Sequence, residues 1–311
     1  MRRKAVIFIV NTWFAITCLL FSDAVPDWGQ GEQVCAGIVH LRIKRTVSGA
    51  DGQPMPLKGN ILRIDLTTPG LRFTSTGRDA DWGAVMPDHF PAQGQLAFRI
   101  RTRRQTTPKF LKECRKRGMD MRVAFNSCPW QPWEWPHWHR YAEPRGVNIS
   151  DGVVVSENDR TKAHLVIWRS GQIDLMETIP PEKFSDIWLA ASGFDIILRD
   201  GQPTAACNTT IGSTPNPRTA VGLSADRRYL YVLTIDGRQP KWSRGATYND
   251  LNTTFLEFDV ADAINLDGGG STTLCCWKPE AAKTVVLSHA TTQNDVCRPV
   301  AMSIGVFFEH P

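Results

Sequence analysis

The chain has 311 residues, 42% of them hydrophobic and 22% charged, with a formal net charge of +5. That is enough chain for one large domain or two small ones, and too hydrophobic for a disordered protein. The mild positive charge, mixed in sign along the chain, argues against a nucleic-acid partner.

The N-terminus reads "MRRKAVIFIVNTWFAITCLLFSDA". A basic start, an apolar stretch and small residues at Ser22 and Ala24 predict a secretory signal over residues 1–24, cleaved after Ala24. A buried N-terminal helix is the alternative. Cys18 invites a lipoprotein reading, but Ala15, Ile16 and Thr17 before it fit poorly. Loss of this segment removes Arg2, Arg3, Lys4 and Asp23, leaving about +3. No other long apolar run exists, so no stable membrane span is expected for residues 25–311.

In chain order, "NILRIDLTT" (60–68) alternates and predicts a strand. "RIRTRR" (99–104) is a basic stretch, read as a solvated strand edge. "TPKFLKECRKRG" (107–118) predicts a helix with Thr107 as cap, Pro108 at the first helical position and Gly118 past the end. "VNISDGVVVS" (147–156) and "HLVIWRSGQIDLME" (164–177) are hairpins turning at Asp151-Gly152 and Ser170-Gly171. "RTAVGLSADRRYLYVLTIDG" (218–237) predicts two further strands. "TYNDLNTTFLEFD" (247–259) predicts a helix capped by Thr247, with Asp250 in a weaker form of the capping box. Strands dominate and do not alternate with helices, which predicts α+β: mixed or antiparallel sheets, a few packed helices and a single domain.

"NLDGGGSTTL" (265–274) is the least ordinary stretch. Asp267 stands at the end of the predicted strand "DAINL". Gly268, Gly269 and Gly270 allow close backbone approach, and consecutive N–H groups can form an anion nest. Ser271, Thr272 and Thr273 add hydroxyls. A Walker phosphate loop needs a lysine where Gly270 stands, and the βαβ context of a dinucleotide site is missing. A plain flexible turn is the other reading. Upstream, Arg218 and Thr219 open one strand of a hairpin, while Asp236 and Arg238 lie at its far end. Arginine is a planar fork suited to phosphate. Asp-Gly-Arg is also a common turn.

"CPWQPWEWPHWHR" (128–140) carries Trp130, Trp133, Trp135 and Trp138. Its three prolines exclude a regular helix. These rings can stack on sugar or pack as a lid. His137 and His139 lack a third partner in sequence, so no metal and no cofactor is expected. Seven cysteines remain after residue 24. One of Cys275 and Cys276 is expected to bridge to Cys297, the alternative being buried thiols.

Together, "RTAVGLSADRRYLYVLTIDGR", "GATYNDL" and "DAINLDGGGSTTL" resemble the core of the phosphodiester glycosidase family in order and spacing. "RPVAMSIGVFF" (298–308) resembles its closing strand, and "VAFNSCPW" (123–130) its early asparagine motif. The likeness covers about residues 118–308. Ser127 departs from the family's usual glycine, Asp250 from its glutamate, and Asp259 from a helix-ending glycine. The resemblance implies a secreted hydrolase acting on a sugar–O–phosphate link at the anomeric carbon, with N-acetylglucosamine or a related sugar released. Asp267 is the first catalytic candidate and Asp236 the second. Arg218 and Arg238 would recognise phosphate. Asn126, Thr219, Thr247, Asp250, Ser271, Thr272 and the three glycines would bind sugar or orient these groups. A phosphoglycan-binding protein without turnover is the rival from another class. Oligomeric state is not legible.

Overall fold

Alternation and β-branched runs give strands, and the computed structural model pairs every one of them antiparallel. It describes residues 27–49, 51–87, 96–132, 139–158, 161–291 and 296–309. The signal segment and the middle of the tryptophan run, with Trp133, Trp135, His137 and Trp138, lie outside them. Of the described residues 47% are strand and 16% helical, so the chain is mostly β with few helices rather than a balanced α+β fold. Among them, no helix is long and apolar enough to cross a membrane.

An eight-stranded sheet holds Arg218–Ser224 near its middle, between Tyr229–Ile235 and Val260–Asn265. All seven residues of Arg218–Ser224 are buried. The reason is cover on both faces. Val221 and Leu223 join one apolar cluster with Ile264, while Ala220 joins another with Leu233 and the helix residues Leu251 and Phe255. A strand covered on both sides reads as a continuous apolar run. Burying Leu251 and Phe255, each fully enclosed, contributes roughly 1.5–3 kcal/mol apiece.

A five-stranded sheet is built around Asp120–Asn126, which pairs with Leu274–Lys278 on one side and Ser303–Phe308 on the other. The glycine segment is therefore the crossing between two sheets. It leaves the first at Asn265 and enters the second at Leu274. A second five-stranded sheet contains the two predicted hairpins, with Asp151 and Gly152 both at positive φ as a primed turn requires. The basic stretch supplies Thr102–Arg103, an edge strand beside Tyr141–Pro144.

Both predicted helices form. Tyr248–Leu256 has Thr247 and Asp250 in a complete capping box. Asp259 stands where a glycine often ends the helix and takes φ 57°, a conformation short polar side chains tolerate. The helix Thr107–Lys116 is capped one residue earlier than expected, by Thr106. The Thr107 hydroxyl instead pairs with that of Ser303 at 3.0 Å, tying the helix to the closing strand.

The expected disulfide is absent. All seven described cysteines are free thiols, Cys275 and Cys276 buried and Cys297 partly so. Cys275 and Cys276 are adjacent on a buried strand, so their side chains leave on opposite faces. Burial raises the pKa of all three thiols, the mark of inert cysteines.

Candidate active site

Asp267 is placed by its backbone. Its N–H donates to the Ser127 carbonyl at 2.8 Å, and its carbonyl accepts from Asn126 Nδ2 at 2.7 Å. Asn126 Oδ1 in turn accepts from the Thr219 hydroxyl at 2.7 Å and the Thr273 N–H at 2.9 Å. One fully buried amide thus joins the ends of three strands at the point where the two sheets meet. Asn126 and Thr219 are consumed by this knot, and both orient the site from behind.

Each glycine of the triplet leaves room for a named neighbour. A Cβ on Gly268 would lie 2.6 Å from the Pro217 carbonyl oxygen. Gly269 has φ +60°, and a Cβ there would meet the Arg238 guanidinium at 3.0 Å. On Gly270 it would lie 2.5 Å from Arg298 Nη2. The glycines therefore let two guanidinium groups rest against the backbone beside Asp267. The expected anion nest is mostly closed. The Gly269 N–H donates to Pro217, Ser271 to Gly268 and Thr272 to Gly269. The Gly268 N–H faces the Asp267 carboxyl itself, and among the described residues the Gly270 N–H has no acceptor, so cation side chains, not a row of amides, make this site positive.

The result is an open cleft of roughly 670 Å³ with Asp267 on its floor. Arg145, Arg218, Arg238 and Arg298 line it, with Trp130, Phe194 and Pro217 as apolar wall. Arg298 was not nominated from sequence. Its only signal was its place at the head of the closing segment, opposite the glycines. The buried hydroxyls of Ser127, Ser271 and Thr272 have no well-formed partner among the described residues. Of these only Ser271 lines the cleft, beside the Asp267 carboxyl, so its hydroxyl is the one placed to meet a ligand's polar group. Arg238 Nε and Nη2 both donate to Asn216 Oδ1, at 3.2 and 3.0 Å, which aims the exposed guanidinium.

Arg218 does less for a ligand than its chemistry suggested. Nε donates to the Ala246 carbonyl at 3.1 Å, and Nη2 to those of Ile211 and Thr214. Only Nη1 is left for a ligand among the described residues, so the expected two-pronged phosphate contact is not available. Arg218→Lys should therefore cost stability first. Three carbonyls lose their donor, and a drop of roughly 2–4 kcal/mol is expected in urea unfolding. An unchanged midpoint would show that the clamp is not needed.

Asp236, the second catalytic candidate, does not line the cleft. Its carboxylate accepts from the Trp242 indole at 3.0 Å and the His289 N–H at 2.8 Å. Burial raises its pKa. It is a buried anchor for the turn after its own strand. Thr247 and Asp250 are also spoken for: Asp250 accepts from the Thr247 N–H and hydroxyl, and pairs with Arg244 at 3.0 Å. His139 is buried, and no group of three His, Cys, Asp or Glu side chains comes together among the described residues.

Burial pushes the Asp267 carboxyl up to about 6, against the opposing pull of Ser271, Arg298, Gly268 and Trp130. A carboxylate poised near the working pH, ringed by fixed cations, suits proton transfer or charge stabilisation next to an anion.

The phosphodiester glycosidase family model matches residues 136–307, which includes the glycine segment and the four cleft arginines. A Bacillus subtilis (strain 168) relative, an SPbeta prophage-derived uncharacterized protein, is 30% identical over 182 residues. The match takes in 55% of this chain but 26% of that one, so the chain spans about a quarter of its relative. Among solved structures, the zebrafish N-acetylglucosamine-1-phosphodiester alpha-N-acetylglucosaminidase catalytic domain, auto-inhibited by its pro-peptide, aligns with TM-score 0.62. Identity there is 18%, over 90% of this chain and 87% of that one. A hypothetical protein from Synechocystis aligns at TM-score 0.55 and 12% identity, over 88% of this chain and 62% of that one. At such identities these two likenesses concern the fold. With more than half its length matched by the family model, the chain belongs to the phosphodiester glycosidase family.

Proposed function

We propose that this protein is a secreted hydrolase that cuts a glycosyl-1-phosphodiester and releases the free sugar. The observation that carries the reading is one carboxylate, Asp267, on the floor of a cleft lined by four arginines. In the reaction the bond between the anomeric carbon and the phosphate oxygen breaks. Its electron pair leaves with a phosphomonoester, and water supplies the new hydroxyl. A phosphate leaving group is stable as an anion, so it needs little of the acid assistance that other glycosides require. What it needs is charge recognition, from Arg238, Arg298 and the open Nη1 of Arg218. Ionised Asp267 activates the water or supports the oxocarbenium-like centre. Ser271 offers a hydroxyl to the sugar, and Trp130 and Phe194 an apolar wall. N-acetylglucosamine or a close relative is the sugar the family favours. The basic start and apolar run before Ala24 support export.

Free sugar should appear when purified protein meets a synthetic N-acetylglucosamine-1-phosphodiester, and not when it meets the neutral aryl glycoside. Tight binding of the diester with no release over long incubation would make this a phosphoglycan-binding protein instead.

A further inference from the structure

The basic stretch found in the sequence at 99–104 is unused by the chemistry above. It borders a second cleft, of roughly 300 Å³, in a different part of the surface. Arg78, Arg103, Arg104, Lys109 and Arg117 line it, against the carboxylates of Asp79 and Asp151. Five cations facing two anions leave a net positive floor. Asp151 is partly occupied, accepting from the Thr74 hydroxyl at 3.0 Å. The side chains of Arg103 and Lys109 are exposed and have no ion-pair or hydrogen-bond partner among the described residues. The wall also contains Ser75, whose buried hydroxyl is without a partner there.

The two clefts are joined by Arg104. It lines the second cleft, yet its guanidinium lies 4.3 Å from the centre of the Trp130 ring, which lines the first. Bonds to the carbonyls of His139, at 2.9 Å, and Pro299, at 3.1 Å from Nη2, hold it there. Pro299 is next to Arg298, which rests on Gly270. Arg104 feels the charge of Arg298, and burial with this repulsion brings Arg104 down to about 10. A partly buried guanidinium repelled by a second one is costly unless an anion joins them. Arg238, Arg298, Arg104, Arg103 and Lys109 thus form a run of cations from the carboxylate to the second cleft.

We propose that this run is an extended anion track, and that the second cleft binds a further phosphate of a substrate carrying two or more phosphates along one chain. This rests on the proposed function only for the word substrate; the anion site stands or falls by itself. The ligand class is a linear phosphate-bearing polymer, not a small sugar phosphate, which would fill the first cleft alone.

A double variant, R103A/K109A, removes two exposed cations that hold nothing else in place, and its unfolding midpoint should match that of the parent. Calorimetry with a short linear inorganic polyphosphate, at low salt, should show binding weakened about tenfold or more. Orthophosphate binding at the first cleft should change less than about twofold. On a single-phosphate diester the variant should turn over as the parent does, with KM rising only for a multi-phosphate substrate. Equal polyphosphate affinity in parent and variant, or no polyphosphate binding by the parent, overturns the track. Absence of hydrolysis by both proteins, with the binding difference intact, overturns the enzymatic reading and leaves the track standing.

Discussion

Asp267→Asn should abolish sugar release and yet make the protein more stable at neutral pH. The amide keeps the shape, so the backbone bonds to Ser127 and Asn126 survive. Loss of the ionised carboxylate should cost about 100- to 10,000-fold in turnover. The stability gain follows from the sign of the pKa shift. The folded carboxyl titrates near 6, above its unfolded value of 3.8. Between those values the folded state holds a proton that the unfolded state has lost. Wild-type stability therefore falls as pH rises from about 4 to 6, and is flat above. The asparagine variant escapes that fall. Its advantage should be roughly 2–3 kcal/mol at neutral pH and near zero below about pH 4. Urea unfolding at both pH values checks it. If variant and parent track each other at both, Asp267 carries no burial cost, and its poised state is not real.

Arg298→Ala should raise KM for a phosphodiester about 10- to 100-fold, the range for one charge-assisted contact. Gly270→Ala should imitate it without touching the arginine. Its new methyl would lie 2.5 Å from Arg298 Nη2, the far end of a flexible side chain, which can swing aside at little cost to folding. Gly268→Ala behaves differently, because its methyl meets the Pro217 carbonyl oxygen at 2.6 Å. Backbone cannot swing away, so that variant should lose stability by roughly 1–3 kcal/mol. Alanine at Gly268 and alanine at Gly270, two residues apart, should thus separate a folding defect from a binding defect. Equal loss of stability at Gly268 and Gly270, with unchanged KM at Gly270, would break the link between the glycines and the arginine.

Periodicity and turn chemistry made the hairpins at Asp151-Gly152 and Ser170-Gly171 readable, since both are local. Capping made the helix after Thr247 readable for the same reason. The antiparallel pairing of every strand was not, because partners such as Arg218–Ser224 and Val260–Asn265 are far apart in sequence. At the site, Asp267 stood out because a carboxylate before three glycines is locally unusual. Asp236 stood out by the same logic and proved to be anchored elsewhere, since Trp242 and His289 reach its carboxylate only in the fold. Arg298 was silent in sequence for the converse reason. Nothing near it is unusual; its role comes from resting on Gly270 across the cleft. The expected bridge to Cys297 is not formed, and nothing local to Cys275, Cys276 or Cys297 shows that all three stay thiols.

If an ionised Asp267, set among arginines, performs the cleavage, its titration sets the rate. The dependence of kcat/KM on pH for a glycosyl-1-phosphodiester tests it most directly. The diester keeps its charge across the range, so the profile reports the free protein. A rise with pH and a plateau above a midpoint of about 6, where burial has pushed the Asp267 carboxyl, are expected. A flat profile between about pH 4.5 and 8, or activity that falls as pH rises through 6, would contradict it.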